Sequence, residues 1–137
     1  MQWVYDPHSG GVKIPPTTQR ETERRIREHA NQHYAGRFIR IDVRFRGVLC
    51  YVDAFQEPPE PDAELLAMRG ETREQYFEQM RNYPMHLVRL RHFDKDRWSV
   101  AFYSYGGMKY EPAMLSSGKW EGTPEECFEI GAVYLQD

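Results

Sequence analysis

The chain has 137 residues, a net charge of −3 at neutral pH and 40% hydrophobic residues. This length suits one domain with a sizeable core, and the composition excludes a disordered chain. No apolar run reaches the roughly 18 residues that a membrane span needs, and the first residues lack the pattern of a signal peptide. We therefore expect one globular domain over residues 1–137, located in the cytoplasm and without contact with a membrane.

The two cysteines give evidence on whether the protein lies in a reducing or an oxidising cellular compartment. Cys50 and Cys127 lie far apart in the chain, each within an apolar stretch. The pattern predicts buried free thiols in a reducing cytoplasm, and a disulfide between them is the alternative.

The charged residues form blocks of alternating sign. Residues 17–50 and 81–119 have a basic excess, whereas residues 51–80 and 120–137 have an acidic excess. Fourteen of the eighteen basic residues are arginine, whose planar guanidinium suits bidentate contact with carboxylates. Such alternation favours internal pairing or a partner of mixed charge. It argues against a general nucleic-acid-binding protein, because those carry a basic excess over the whole domain.

The chain begins with a predicted irregular arm, residues 1–16, which contains Gly-Gly and Pro-Pro turn signals. A capping box formed by Thr18 and Glu21 predicts the start of a helix. The helix should run to about Tyr34, because Gly36 is a typical C-terminal glycine.

Residues 37–47 predict a half-buried strand, because apolar and polar residues alternate along them. The polar face of this strand carries Arg40, Asp42, Arg44 and Arg46. Gly47 predicts a turn into a second strand over residues 48–55. A two-residue turn at Arg46-Gly47 would set Arg40 opposite Asp53, and a type I turn with a glycine bulge is the alternative register.

An acidic, proline-rich loop at residues 56–62 separates this hairpin from two predicted short helices. The first should cover residues 63–68. The second should run from a capping box of Thr72 and Gln75 to about Asn82.

Three more strands and a closing helix complete the predicted order. The strands are expected over residues 85–93, 98–105 and 109–115, and Pro112 favours an edge position for the last of them. A threonine cap at Thr123, followed by proline and glutamates, predicts the start of the closing helix. This order indicates an α+β fold: a single domain with an antiparallel sheet of about five strands and helices packed mainly on one face.

The main candidate site is a surface of arginine and tyrosine side chains. If the strands at residues 37–47 and 85–93 share a sheet, alternation places their arginines on the face away from the helices. The residues of this predicted surface are Arg40, Arg44, Arg89, Arg91, Tyr51, Tyr103 and Tyr105. Such a surface suits an acidic protein segment or a stacked nucleic-acid strand. The structural alternative is that Asp42, Asp53 and the acidic loop neutralise these arginines.

A second candidate site rests on histidines. His29 and His33 are four residues apart on a predicted helix, a spacing that lets two imidazoles share a metal ion. A third ligand would have to come from the N-terminal arm, for example His8. Packed and hydrogen-bonded histidines are the structural alternative. The same holds for His86 and His92, which alternation places together on the Val88–Leu90 face of their strand.

These observations favour a non-enzymatic binding module that uses the arginine and tyrosine surface to bind an acidic protein partner or a second copy of itself, as in a homodimer. No catalytic or cofactor signature is strong enough to settle the function, so we expect no cofactor and favour a binding protein over an enzyme. The first alternative is a small metal-dependent hydrolase centred on His29 and His33. The second is a nucleic-acid-associated accessory protein, which the net negative charge disfavours.

Overall fold

The computed structural model describes residues 9–136. Its elements are α1 (Pro16–Tyr34), β1 (Arg40–Arg46), β2 (Leu49–Phe55), α2 (Ala63–Arg69), α3 (Arg73–Arg81), β3 (Met85–Asp94), β4 (Arg97–Ser104), β5 (Lys109–Ala113), β6 (Glu121–Gly122), α4 (Pro124–Gly131) and a short 3-10 helix (Ala132–Leu135). The strands form an antiparallel sheet in the order β1-β2-β3-β4-β5, and the short β6 pairs with β4. The predicted α+β fold is therefore confirmed, with one additional short strand.

The first helix begins three residues earlier than predicted, with its N-cap at Pro15 rather than at Thr18. Pro15 is its N-cap and Pro16 its first residue, because proline has a backbone angle that suits the first helical turn and needs no hydrogen-bond donor there. The backbone N–H of Gln19 donates to the Pro15 carbonyl at 2.9 Å and closes that turn. Thr18 therefore lies inside the helix. The helix ends at Tyr34 as predicted, just before Gly36 with its φ of 86°.

Two helices cover one face of the sheet. Helices α1 and α4 contact each other, α1 contacts β1, and α4 contacts β3 and β4. The buried core between these helices and the sheet includes Ile26, Ala30, Cys50, Val52, Leu90, Trp98, Val100, Cys127 and Phe128. Both cysteines are free and buried. Among residues 9–136, no helix is both long and apolar enough to cross a bilayer.

The hairpin register differs from both registers that the sequence suggested. The two-residue turn is Gly47-Val48, so that Arg46 pairs with Leu49 and Arg40 pairs with Phe55 rather than Asp53. Gly47 has a φ of 63°, a left-handed conformation that is costly for arginine. The turn therefore lies one residue further along, and the arginine stays in the strand.

A bulge in the β2–β3 ladder changes which face a histidine occupies. The register shifts between Val52 and Asp53, so that Val52 pairs with Val88 but Asp53 pairs with His86. The extra residue, Leu87, is buried like its neighbour Val88. Because one extra residue reverses the alternation, His86 lies on the opposite face from Val88, and its predicted placement was wrong.

Helices α3 and α4 begin where their caps were predicted. The Thr72 side chain accepts from the Gln75 backbone at 3.1 Å, and the Thr123 side chain accepts from the Glu126 backbone at 3.2 Å. Each helix also has the reciprocal bond of a capping box. Both predicted boxes are confirmed. In α3 the buried residues are Tyr76 and Phe77.

Candidate functional site

The face of the sheet opposite α1 and α4 carries the predicted arginines and tyrosines. Cross-strand pairing aligns Arg44 with Tyr51, and Tyr51 in turn with Arg89, while Leu49 pairs with Arg91. Alternation along β1 and β3 therefore places the four predicted arginines on one face. We define the arginine–tyrosine face as Arg40, Arg44, Arg46, Arg89, Arg91, Tyr51, Tyr103, Tyr105 and Tyr110. Tyr105 follows the end of β4 and joins the face through its ring contact with Tyr103 at 4.8 Å.

A buried carboxylate lies within this face. Asp53 is only 4% exposed, and its two oxygens accept from Arg44 Nη2 and from His86 Nδ1, each at 2.9 Å. A buried charge must be compensated in this way, because an unpaired carboxylate away from water is costly. Asp53 thereby fixes the position of one arginine and the ring orientation of one histidine. The backbone N–H of His86 also donates to the Tyr105 hydroxyl at 2.8 Å.

The tyrosines form a continuous set of ring contacts across β2, β4 and β5. Tyr110 contacts Tyr51 at 5.9 Å and Tyr103 at 5.1 Å, both in edge-on geometry. The His86 ring lies 4.8 Å from that of Tyr103. Edge-on pairs at these distances are favourable for aromatic rings. Sequence reasoning missed Tyr110, although alternation in β5 could have identified it, since Tyr103 and Tyr110 are cross-strand partners.

Several arginines lie over aromatic rings of the same face. The guanidinium of Arg89 is 5.0 Å from the centre of the Tyr110 ring, and that of Arg44 is 5.5 Å from Tyr51. At the edge of the sheet, Arg40 lies 3.8 Å from the centre of the Phe55 ring. These cation–π contacts hold the guanidinium groups against the sheet and reduce their rotational freedom.

Burial raises the pKa of the Tyr110 hydroxyl, and the nearby charge of Asp53 raises it further. This hydroxyl therefore stays protonated to a higher pH than that of an ordinary tyrosine, and it is a hydrogen-bond donor at neutral pH. The neighbouring guanidinium groups add further donors. The face consequently offers several donors to a negatively charged ligand.

The charge of the face is positive, since its five arginines outnumber the aspartates beside them, Asp42 and Asp53, and Glu121 on the same side of the sheet is paired with Arg97 at 3.1 Å. The acidic loop does not neutralise it. Glu57 instead accepts from Arg81 at 2.9 Å, and Glu60 accepts from Arg73 at 2.9 Å, both on α3. The predicted structural alternative thus holds for Arg44, which is paired with Asp53, and for Arg40, whose Nε lies 3.5 Å from Asp42 Oδ1, but not for the loop.

One arginine of the face has a visible structural role. Arg91 Nη1 donates to the Gly10 carbonyl at 2.7 Å and so attaches the N-terminal arm to the sheet. The arm continues across the end of the sheet, where the backbone of Val12 donates to the carbonyl of His92 at 2.8 Å. His92 itself is buried and donates from its ring to the Val12 carbonyl. Arg91 and His92 therefore help to hold the arm in place.

The structure places His29 in the contact between α1 and α4, whereas His33 is exposed and contacts the ring of His29. The rings of His29 and His33 lie 4.5 Å apart, and His29 Nε2 lies 2.8 Å from Glu129 Oε1 on α4. Tyr34 donates to the other oxygen of Glu129, and burial together with this carboxylate raises the pKa of Tyr34 to about 12. Residues 9–136 contain no group of three His, Cys, Asp or Glu side chains placed to hold a metal ion. His8 lies outside the described residues.

A shallow hollow adjoins the arginine–tyrosine face at the outer strand. It has a volume of about 330 Å³ and is lined by Arg44, Phe45, Arg46 and Tyr51. A more apolar groove of about 300 Å³ lies near Tyr105, between the proline-rich loop and α3. Both are within the size range of small ligand sites, but each is open to solvent on one side.

The chain was also compared with known proteins. No protein-family model matches it, and no curated protein or solved structure shows significant similarity. Function is therefore inferred from the geometry and charge of the arginine–tyrosine face alone.

Proposed function

We propose that the protein is a non-enzymatic binding module whose arginine–tyrosine face holds an acidic segment of a partner protein. The observation that carries this proposal is the pre-positioning of arginines over tyrosine rings on the face opposite α1 and α4, as in Arg89 over Tyr110. Arginine and tyrosine are, with tryptophan, enriched among the residues that dominate binding energy at protein interfaces. Guanidinium groups that are already ordered lose less entropy when they bind a carboxylate.

The excess of positive charge is confined to the face, and this limited extent favours an acidic protein segment over nucleic acid. The charge excess is local, because the chain as a whole carries −3. Because the residues outside the face together carry a net negative charge, a nucleic-acid strand that extended beyond it would be repelled, whereas an acidic protein segment can be confined to it. A second copy of the chain fits less well, because the glutamates of its acidic loop are engaged by Arg73 and Arg81. The two free cysteines suit a reducing compartment such as the cytoplasm.

The proposal is tested by measuring the affinity of the protein for a fluorescently labelled glutamate-rich peptide and for the same peptide with glutamine in place of glutamate. We expect the acidic peptide alone to bind, with an affinity that falls as salt concentration rises. The double variant Arg40→Gln, Arg89→Gln should weaken binding by about tenfold or more. The matched control, Arg20→Gln with Arg24→Gln, removes the same charge from the exposed face of α1.

Equal losses in the two double variants would show general charge attraction rather than a site, and would overturn the proposal. A single-stranded oligonucleotide that bound more tightly than the acidic peptide would also overturn it. Sedimentation of the protein alone tests whether a second copy of the chain binds to the face. If the unmodified protein forms a stable dimer and the Arg40→Gln, Arg89→Gln variant is monomeric, the partner of the face is a second copy of the chain rather than an acidic segment of another protein.

A further inference from the structure

The two edges of the sheet differ in how well they are protected from further strand pairing. The outer strand β5 has five residues and contains Pro112, which cannot donate a backbone hydrogen bond. The opposite outer strand, β1, has seven residues and no proline. A long outer strand of this kind is a ready template for an added strand.

The hairpin register determines which backbone groups of β1 point outward. A two-residue turn is closed by a hydrogen-bonded pair, here Arg46 with Leu49, and such pairs alternate along an antiparallel ladder. Ile41, Val43 and Phe45 therefore direct their N–H and C=O groups away from β2. The Arg27 side chain donates to the Ile41 carbonyl from outside the sheet, which agrees with this direction. Among the described residues, no backbone group from outside the sheet bonds to Val43 or Phe45.

The side chains of β1 specify what kind of strand fits beside it. On the arginine–tyrosine face the strand presents Arg40, Arg44 and Arg46, with Asp42 the one acidic residue among them. On the opposite face Val43 and Phe45 are only partly buried where they pack at the margin of the core. An added strand would meet positive charge on one side and apolar surface on the other. Opposite charges on neighbouring strands stabilise a sheet, and like charges destabilise it.

We infer that the acidic segment binds as an extended strand added to the edge of β1, with acidic residues at every second position and apolar residues between them. The acidic side chains reach Arg40, Arg44 and Arg46, and the apolar ones cover Val43 and Phe45. This inference rests on the proposed function and specifies its partner class and binding mode. A second copy of β1 fits this edge poorly, because its three arginines and one aspartate would repeat the same positive charge.

The first test uses three peptides of identical composition and length and the unmodified protein. One alternates glutamate and valine, and the other two place the same residues in separate blocks or in random order. We expect the alternating peptide to bind about tenfold more tightly than either of the others, because only it can separate charge and apolar surface on two faces of a strand. If all three bind equally well, the proposed function stands and strand addition is wrong. If none binds more tightly than a glutamine-and-valine peptide, both are wrong.

The second test probes the backbone directly. Methylating the amide nitrogens of the alternating peptide at every second residue removes the donors that point to one side of an added strand. We compare two such peptides, one methylated at the odd-numbered residues and one at the even-numbered residues. Methylation of the amides that face β1 should abolish binding, whereas methylation of the amides that face away should leave the affinity nearly unchanged. Equal effects of the two sets would show that the peptide lies on the face without pairing to β1.

A protein variant and hydrogen exchange complete the test. Val43→Pro removes an outward N–H that β2 does not use, so the fold should tolerate it, while binding of the alternating peptide should fall by about tenfold. On binding to the unmodified protein, the amides of Val43 and Phe45 should gain protection from exchange, whereas that of Arg44 is already protected by β2. No gain at Val43 and Phe45 would overturn the inference even if the proline variant failed to fold.

Discussion

Asp53 lies 2.9 Å from Nδ1 of His86, a contact that exists because the β2–β3 ladder shifts its register at Asp53. Without the bulge, alternation would leave His86 on the core side with Val88, and Asp53 would lack one of its two partners. The local irregularity of the sheet therefore creates the charged centre of the arginine–tyrosine face. Asp53 in turn holds Arg44 at a fixed position beside Tyr51.

The first prediction separates the structural role of Asp53 from its electrostatic role. Asp53→Asn removes the negative charge that compensates Arg44 and His86 but preserves the shape of the side chain. We expect the free energy of unfolding to fall by about 2 kcal/mol, because bonds to a buried charged group are lost. We also expect an acidic peptide to bind more tightly, since the face becomes more positive. Urea unfolding and peptide titration measure the two effects, and a parallel loss of stability and affinity would contradict this account.

The strand faces could be predicted from the sequence because they depend on local alternation. In β1 and β3 the arginines fall on one face as expected, since side chains alternate strictly wherever the ladder is regular. The two capping boxes were predictable for the same reason, because the bonds of Thr72 and Thr123 reach only three residues along the chain. The four-residue pattern is not sufficient by itself, because the same pattern at Thr18 and Glu21 lies inside α1, which begins at Pro16.

Features that depend on contacts between distant segments could not be predicted in this way. The bulge that moves His86 arises where β3 must pair with Asp53 while both Leu87 and Val88 stay buried against α4 and the core. Likewise, Tyr134 donates to the Tyr103 carbonyl at 2.7 Å from a segment beyond α4. Nothing in the sequence around His86 or Tyr134 indicates these contacts. The missed features are therefore the ones set by tertiary packing.

The second prediction concerns the cap of α4. Thr123→Ala removes the oxygen that accepts from the Glu126 backbone, so the free energy of unfolding should fall by about 1 kcal/mol. Thr123→Ser keeps that oxygen and serves as the control. Denaturant unfolding of the three proteins measures the difference, and equal stability of the alanine variant and the unmodified protein would show that the cap contributes nothing.

The third prediction concerns the cysteines. Burial raises the pKa of both thiols, Cys50 and Cys127, so the reactive thiolate is scarce in the folded protein. A thiol reagent should therefore label neither cysteine at a measurable rate near neutral pH. Both should react at once after unfolding without a reductant. Rapid labelling of the folded protein, or no labelling after unfolding, would be inconsistent with two buried free thiols.

The fourth prediction concerns pH and the contact between α1 and α4. Burial acts to raise the pKa of Glu125, but hydrogen bonds from Arg25 at 2.7 and 2.9 Å outweigh it and lower that pKa. A lowered folded-state pKa adds stability that is complete above about pH 4.3, where an unfolded glutamate titrates, and is lost as pH falls through the folded value. Glu125→Gln should therefore reduce the loss of stability on acidification. Unfolding free energies measured between neutral and acidic pH test this, with Glu78→Gln, at an exposed position of α3, as the control.

The fifth prediction concerns whether the arginines of the face act through geometry or only through charge. Arg89 lies over the Tyr110 ring, a position that suits a planar guanidinium better than an ammonium group. Arg89→Lys keeps the charge but loses the stacked plane and the bidentate geometry. We expect it to weaken binding of an acidic peptide by about 1 kcal/mol, roughly fivefold, with little change in melting temperature.

Tyr110 provides the reciprocal test of the same contact. Tyr110→Phe keeps the ring under Arg89 and removes the hydroxyl, whereas Tyr110→Leu removes the ring itself. If the ring orders the guanidinium, the leucine variant should lose about as much affinity as Arg89→Lys, and combining the two changes should cost less than the sum of their separate effects. The phenylalanine variant should retain most of the affinity, since its ring still supports the guanidinium. Strictly additive losses, measured by peptide titration at one fixed salt concentration, would mean that Arg89 and Tyr110 contact the ligand independently and that the stacking has no role in binding.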